Sequence, residues 1–203
     1  MLINKIAKKF SDYPVFTYRD IKLYLNDEIS DNSLRGLISY MKRRGDLYII
    51  RKGFYSFKKD SIISGYLFDP FYYGMDFAMT CREIWDQLVQ PCIITVKRVK
   101  KNKINLFNDK DFFVEVHHIP IKYLFGYSLI VYNERIIPVS DAEKILIDLV
   151  YFRKKISKNA YILLCKKINK KKLTAYLKNY DQHTKKTVLN LYSKYIKEKS
   201  SKY

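Results

Sequence analysis

Between Leu34 and Met41 the apolar residues Leu34, Leu37, Ile38 and Met41 recur at i, i+3, i+4 and i+7, the spacing that gathers one stripe on one side of an α-helix. Ser33, Arg35, Gly36, Ser39, Lys42 and Arg43 fall largely on the other side. Gly45 stands where a left-handed C-terminal stop belongs. The apolar runs Leu47–Ile50 and Phe54–Phe57 then flank Arg51-Lys52-Gly53, as a tight hairpin requires. Upstream, Ile3, Ile6 and Phe10 form a first helical stripe that Tyr13-Pro14 interrupts. Thr17-x-x-Asp20 is a capping-box pattern opening a second helix that uses Tyr18, Ile21 and Leu25. Three helices followed by a hairpin, with basic residues on the outward positions, is the pattern of a winged helix-turn-helix over residues 1–60.

After Phe57 the pattern changes. Lys58-Lys59-Asp60-Ser61 reads as a linker, and residues 61–203 read as a mixed α/β domain ending in amphipathic helices, so the fold class is α+β. Ile62–Phe68 and Met75–Val89 are expected as helices separated by Pro70 and Gly74. Cys92–Val96, Phe112–His118, Tyr127–Tyr132 and Arg135–Val139 are expected as strands, with Asn133-Glu134 turning between the last two. Ser140 and Asp141 precede a helix over Ala142–Arg153. From Lys158 on, Leu173, Tyr176, Leu177, Tyr180, Val188, Leu189, Tyr192, Tyr195 and Ile196 alternate with lysines at helical spacing, giving two or three helices before a fraying KEKSSKY end.

Charge narrows the partners. The chain of 203 residues carries 39 Lys and Arg against 20 Asp and Glu, a net charge of +19. Residues 1–60 hold +6, residues 61–152 hold −1 and residues 153–203 hold +14. Two basic ends around a neutral middle make a polyanion the expected partner. On the winged-helix reading, a helix from about Asp31 to Arg44 enters the major groove. Asn32, Ser33, Arg35 and Ser39 would lie nearest the base edges, and Lys42, Arg43 and Arg44 nearest phosphate. Arg51 and Lys52 would reach the backbone or minor groove, and Tyr18 and Arg19 the backbone across the groove.

Other chemistry leaves fainter marks. Cys81, Cys92 and Cys165 are odd in number and contain no CxxC pair, so a disulfide framework or structural zinc site is not expected; they read as reduced thiols. His117 and His118 alternate across a strand and do not point at one ion. Asp141, Glu143, Lys144 and Asp148 resemble the parts of a metal-dependent nuclease, but capping and intrahelical pairing account for them. There is no Gly-rich phosphate loop, HExxH or GxSxG. The sequence reading therefore assigns no metal, no cofactor and no catalysis. Nineteen tyrosines and twelve phenylalanines keep an RNA- or ribosome-associated basic protein as the alternative, with Tyr40, Tyr48 and Tyr55 as exposed stacking candidates and Phe54 and Phe57 packing the wing. No apolar run is long enough to span a membrane, and MLINKIAKKF is too short and too charged for a signal peptide, so the expected location is the cytoplasm.

Residues Tyr72–Ala78, Thr95-Val96-Lys97-Arg98, Phe125-Gly126 and, most specifically, Ser140-Asp141-Ala142-Glu143-Lys144 through Asp148 resemble the motifs of the AbiEi family of type IV antitoxins. The resemblance covers roughly residues 1–153; Tyr73-Gly74-Met75 and Ser140 depart from the family's usual residues, and the lysine-rich tail is longer. It implies an N-terminal winged helix on a C-terminal α/β domain. The implied function is a DNA-binding repressor of its own operon that counteracts a nucleotidyltransferase-like toxin encoded nearby.

Overall fold

The computed structural model describes residues 2–26 and 28–197, which form two compact units. One runs to Asp69 and includes Lys103–Val114; the other comprises Pro70–Asn102 and the chain from Glu115 onward. The boundary expected at residues 60 and 61 falls inside the first unit. Of the KEKSSKY end, residues 198–203 lie outside the described residues.

The first unit opens with α1 (Leu2–Phe10), β1 (Phe16–Thr17), α2 (Tyr18–Leu25) and α3 (Asp31–Arg43), followed by β2 (Tyr48–Arg51) and β3 (Phe54–Ser56). Strand order is β1-β3-β2, all antiparallel. Ile6, Phe10, Phe16, Ile21, Leu25, Leu34, Ile38, Met41 and Leu47 make one buried core, so each amphipathic stripe read from the sequence finds the others. The capping box at Thr17 forms in full, the side chains of Thr17 and Asp20 each accepting the other's backbone N–H. Helix α3 ends in a Schellman turn: Gly45 (φ +78°) donates to the Lys42 carbonyl and Asp46 to the Met41 carbonyl. Lys52 and Gly53 (φ +85°) close the β2–β3 hairpin.

Strands β1 and β6 (Lys103–Leu106) of this unit were not anticipated, and β7 (Asp109–His118), expected from Phe112, begins at Asp109. Strand β1 is only two residues long. The hairpin of β6 and the first part of β7 comes from far along the chain. Its tip, Phe107-Asn108, has φ of 57° and 54°, and the Phe107 N–H donates to the Ile50 carbonyl at 2.9 Å. Tyr48 packs edge-on against Phe107, and the Lys59 ammonium lies over the Phe112 ring while reaching Asp109. Residues 58–61 are therefore no loose linker: Lys59 is held, and Asp60 caps a 3₁₀ helix over Ser61–Phe68.

In the second unit, β4 (Phe71–Tyr73), α4 (Met75–Cys81) and β5 (Cys92–Thr95) precede β8 (Tyr127–Tyr132), β9 (Arg135–Ser140), α5 (Ala142–Tyr151), α6 (Lys158–Lys167), α7 (Lys170–Leu177) and α8 (Gln182–Lys197). The strands run β7-β5-β4-β9-β8, with β7/β5 and β4/β9 parallel and the other pairs antiparallel. The helix expected over residues 75–89 stops at Cys81. Glu83 takes φ 54° and donates to Thr80, and Ile84 donates to Met79, a Schellman stop without glycine that periodicity does not reveal. Asn133 and Glu134, both left-handed, turn β8 into β9 as expected. No helix among the described residues is long and apolar enough to cross a membrane.

Helix α5 is the hub of this unit. Residues 142–149 are all buried, including Lys144 and Asp148 at 0% exposure. The Lys144 ammonium is bonded to Asp148 Oδ1, and Tyr72 donates to Asp148 Oδ2 at 2.9 Å. The rings of Tyr72, Phe125 and Tyr180 surround the ammonium at 5.2, 5.7 and 5.8 Å. Burial pushes the Asp148 carboxyl above its ordinary range, opposed by Lys144, and pushes the Tyr72 phenol well up. Gly126 (φ +74°) lets the chain pass this pair: a Cβ there would stand 2.8 Å from Tyr176 and 3.0 Å from Lys144. Helices α6–α8 and the turn at Tyr180 cover α5, burying Leu164, Leu173, Leu177, Tyr180 and Val188, so the described part of the basic tail is packed into the unit.

Two substitutions test this hub in urea denaturation. Asp148→Ala leaves a buried ammonium unpaired and is expected to cost about 3–5 kcal/mol. Gly126→Ala combines left-handed strain with overpacking and is expected to cost about 1–3 kcal/mol. Near-neutral results would show that the hub is not what holds this unit.

Candidate nucleic-acid interface

Helix α3 is capped by Ser30, whose hydroxyl accepts from the Ser33 N–H at 3.2 Å and donates to Ser33 Oγ at 2.9 Å. With Leu34, Ile38 and Met41 committed to the core and Leu37 half-buried against it, the polar residues of the helix must face outward. Asn32, Ser33, Arg35, Gly36, Ser39, Lys42 and Arg43 are all exposed. The backbone hydrogen bonds of α3 and its anchored inner face fix these side chains as one array.

Arg35 does not hang free. Its guanidinium lies 5.8 Å from the ring centroid of Tyr18, at the start of α2, and the Tyr18 hydroxyl donates to the Asp31 carbonyl at 3.3 Å. Lys22 pairs with the Asp31 carboxylate at 2.8 Å, and this bond is the main reason that carboxyl sits below its usual range. These contacts tie α2 to the first turn of α3. Tyr55 of β3 stands near the same group: burial pushes its phenol up, and Arg35 opposes the shift.

The remaining expected residues divide. Arg19 of α2 is exposed, as are Arg51 and Lys52 at the β2–β3 turn, with Arg51 paired opposite Phe54. Arg44 lies just past α3 and is paired with Asp46 at 3.0 Å, while its guanidinium also reaches the Tyr40 hydroxyl at 3.4 Å. It is thus partly neutralised within its own turn. Of the three tyrosines expected outside, Tyr40 is exposed, whereas Tyr48 and Tyr55 are half-buried, packed on Phe107 and Phe16. Phe57 packs on Phe16, as expected for a hairpin fastened to its helices.

Gly36 stands out by what surrounds it. A Cβ there would meet nothing within 4 Å, and no positive φ is involved, so neither packing nor backbone geometry calls for glycine. A glycine inside a helix costs about 0.5–1 kcal/mol relative to alanine. It leaves a gap in the middle of the exposed face, between Asn32, Arg35 and Ser39.

In the second unit a cleft of about 440 Å³ lies between Arg82, Asp141, Glu143 and Lys172. Most of its polar groups are used internally. Lys172 pairs with Asp141 at 2.8 Å and Glu143 at 3.4 Å, Asn169 donates to Glu143 at 2.6 Å, and Arg82 holds the carbonyls of Val139 and Ser140. Asp141 also caps α5 and accepts from the Tyr176 hydroxyl at 2.8 Å. With Lys144 and Asp148 wholly buried, the acidic cluster near 141–148 offers no open carboxylate pair. All three cysteines are free and buried. Among the described residues one trio has donors close enough for a metal ion: Cys92, Glu115 and His117.

No family model matches the chain, and no curated protein does. Among solved structures, it is similar to the crystal structure of the Rv2827c protein from Mycobacterium tuberculosis, with a TM-score of 0.66 at 16% identity, over 95% of this chain and 75% of that one. At that identity the likeness is one of fold.

Proposed function

We propose that the first unit is a winged helix-turn-helix and that the protein is a sequence-specific regulator binding duplex DNA. The observation that carries this reading is the division of α3: its inner stripe is fixed in the core, while Asn32, Arg35 and Ser39 stand exposed around the bare Gly36. An α-helix fits the major groove, where arginine and asparagine make bidentate contacts with guanine and adenine. Glycine lets such a helix approach closely. Arg51 and Lys52 at the hairpin turn and Arg19 on α2 supply cationic contacts to phosphate, and Lys42 and Arg43 supply more.

The residues that resemble the AbiEi family extend the proposal to an autoregulating antitoxin with a nucleotidyltransferase-like toxin as genetic partner. In support, the most specific of those motifs coincides with the buried Lys144–Asp148 pair, and the Phe125-Gly126 step is the one that admits it. These residues act in folding the second unit, so the regulatory chemistry rests with the first.

Two measurements test the reading. If five to eight phosphates are neutralised, log K for duplex binding falls against log salt with a slope of roughly −4 to −7; a slope near zero contradicts it. Arg35→Ala is expected to cost about 1–3 kcal/mol and to relax preference at one base pair, whereas Lys52→Ala weakens all sequences alike. Equal, sequence-independent losses would remove α3 from the role of reader.

A further inference from the structure

Strands β5 and β7 pair in parallel, with Cys92 opposite Glu115 and Ile94 opposite His117. Residues two apart on a strand share a face, so this register gathers Cys92, Glu115 and His117 on one side of the sheet. Their Sγ, carboxylate oxygen and ring nitrogen lie within 4.8 Å of one another. The imidazole is steadied by Phe152, 4.9 Å between centroids. Its Nε2 is buried and has no hydrogen-bond partner among the described residues, with Glu115 Oε2 at 3.7 Å. A buried polar nitrogen left without a partner is costly, and a bound cation would satisfy it.

We propose that Cys92, Glu115 and His117 bind one divalent transition-metal ion of the zinc type. The donor set decides the class. Magnesium and calcium take oxygen, whereas zinc and its neighbours take thiolate, imidazole and carboxylate together. Around a tetrahedral zinc with bonds of about 2.0–2.3 Å, ligand atoms stand roughly 3.3–3.8 Å apart. The three donors are therefore within a small side-chain adjustment of coordination, leaving one position for water.

Lys154 supplies the local positive charge otherwise, with its ammonium 2.7 Å from Glu115 and 3.0 Å from Asp76. When an ion takes Glu115, Lys154 keeps Asp76. Thiolate, two carboxylates and one ammonium then carry a net −2, which a divalent ion cancels; the thiol proton leaves to solvent as the metal–sulfur bond forms. The ion would fasten β5 to β7.

The test uses the purified full chain, stripped with chelator and titrated with cobalt(II) and then with zinc in competition. One cobalt per chain is expected, with the intense visible bands of tetrahedral coordination and a thiolate charge-transfer band. Both should vanish in Cys92→Ser and His117→Gln and persist in Cys81→Ser and Cys165→Ser. Lys154→Met, lacking the competing ammonium, should bind more tightly. Absence of a charge-transfer band in the wild-type chain, or a band surviving Cys92→Ser, would overturn the proposal whatever the stability of the variants.

Discussion

Lys144 and Asp148 stand one helical turn apart on α5 with neither side chain exposed, so each charge depends on the other for its place in the interior. Two unit charges removed from water are tolerated only with close pairing and further polar contacts. Here the Tyr72 hydroxyl supplies the second bond to the carboxylate, and three aromatic rings face the ammonium. Much of the second unit follows from housing this pair. Gly126 is bare because Lys144 and Tyr176 fill the space beside it. Tyr180, in the turn between α7 and α8, must come in to close the aromatic shell. The described part of the +14 segment is thereby drawn into the fold, with Leu164, Leu173, Leu177 and Val188 inward and most of its lysines outward.

The first unit obeys a simpler constraint. A helix of thirteen residues with Leu34, Ile38 and Met41 buried has no freedom to rotate, so its outer residues are presented in a fixed order. The link between Tyr18, Arg35 and Asp31 then sets α2 against the start of α3, where a groove-reading helix has its base contacts. The β2–β3 hairpin is held from behind by Phe107, which steadies the turn that carries Arg51 and Lys52.

What the sequence revealed was what local chemistry encodes. Capping at Thr17 and Asp141, the stop at Gly45 and the turn at Asn133-Glu134 are short-range signals, and each is present where expected. What stayed hidden depends on partners distant in the chain. Strand β4 is three residues between two helical patterns, and only its neighbours β5 and β9 make it a strand. The β6–β7 hairpin turns at Phe107, an aromatic residue in a left-handed conformation that Asn and Gly usually fill. The Cys92, Glu115 and His117 donors meet only through a parallel strand register, so no spacing motif announces them. The outward face of α3 was legible as an array, but the engagement of Arg44 by Asp46 and Tyr40 was not.

The account turns on whether the outer face of α3 meets DNA, and Gly36 gives the cleanest access to it. Gly36→Gln adds a neutral side chain into open space and removes a helix-weakening glycine, so its melting temperature should equal or exceed that of the wild-type chain. Its affinity for duplex DNA at fixed salt should nevertheless fall about tenfold or more, because the new side chain occupies the closest approach. A variant that melts as high and binds as tightly as the wild type would show that this face is not the one that reads DNA.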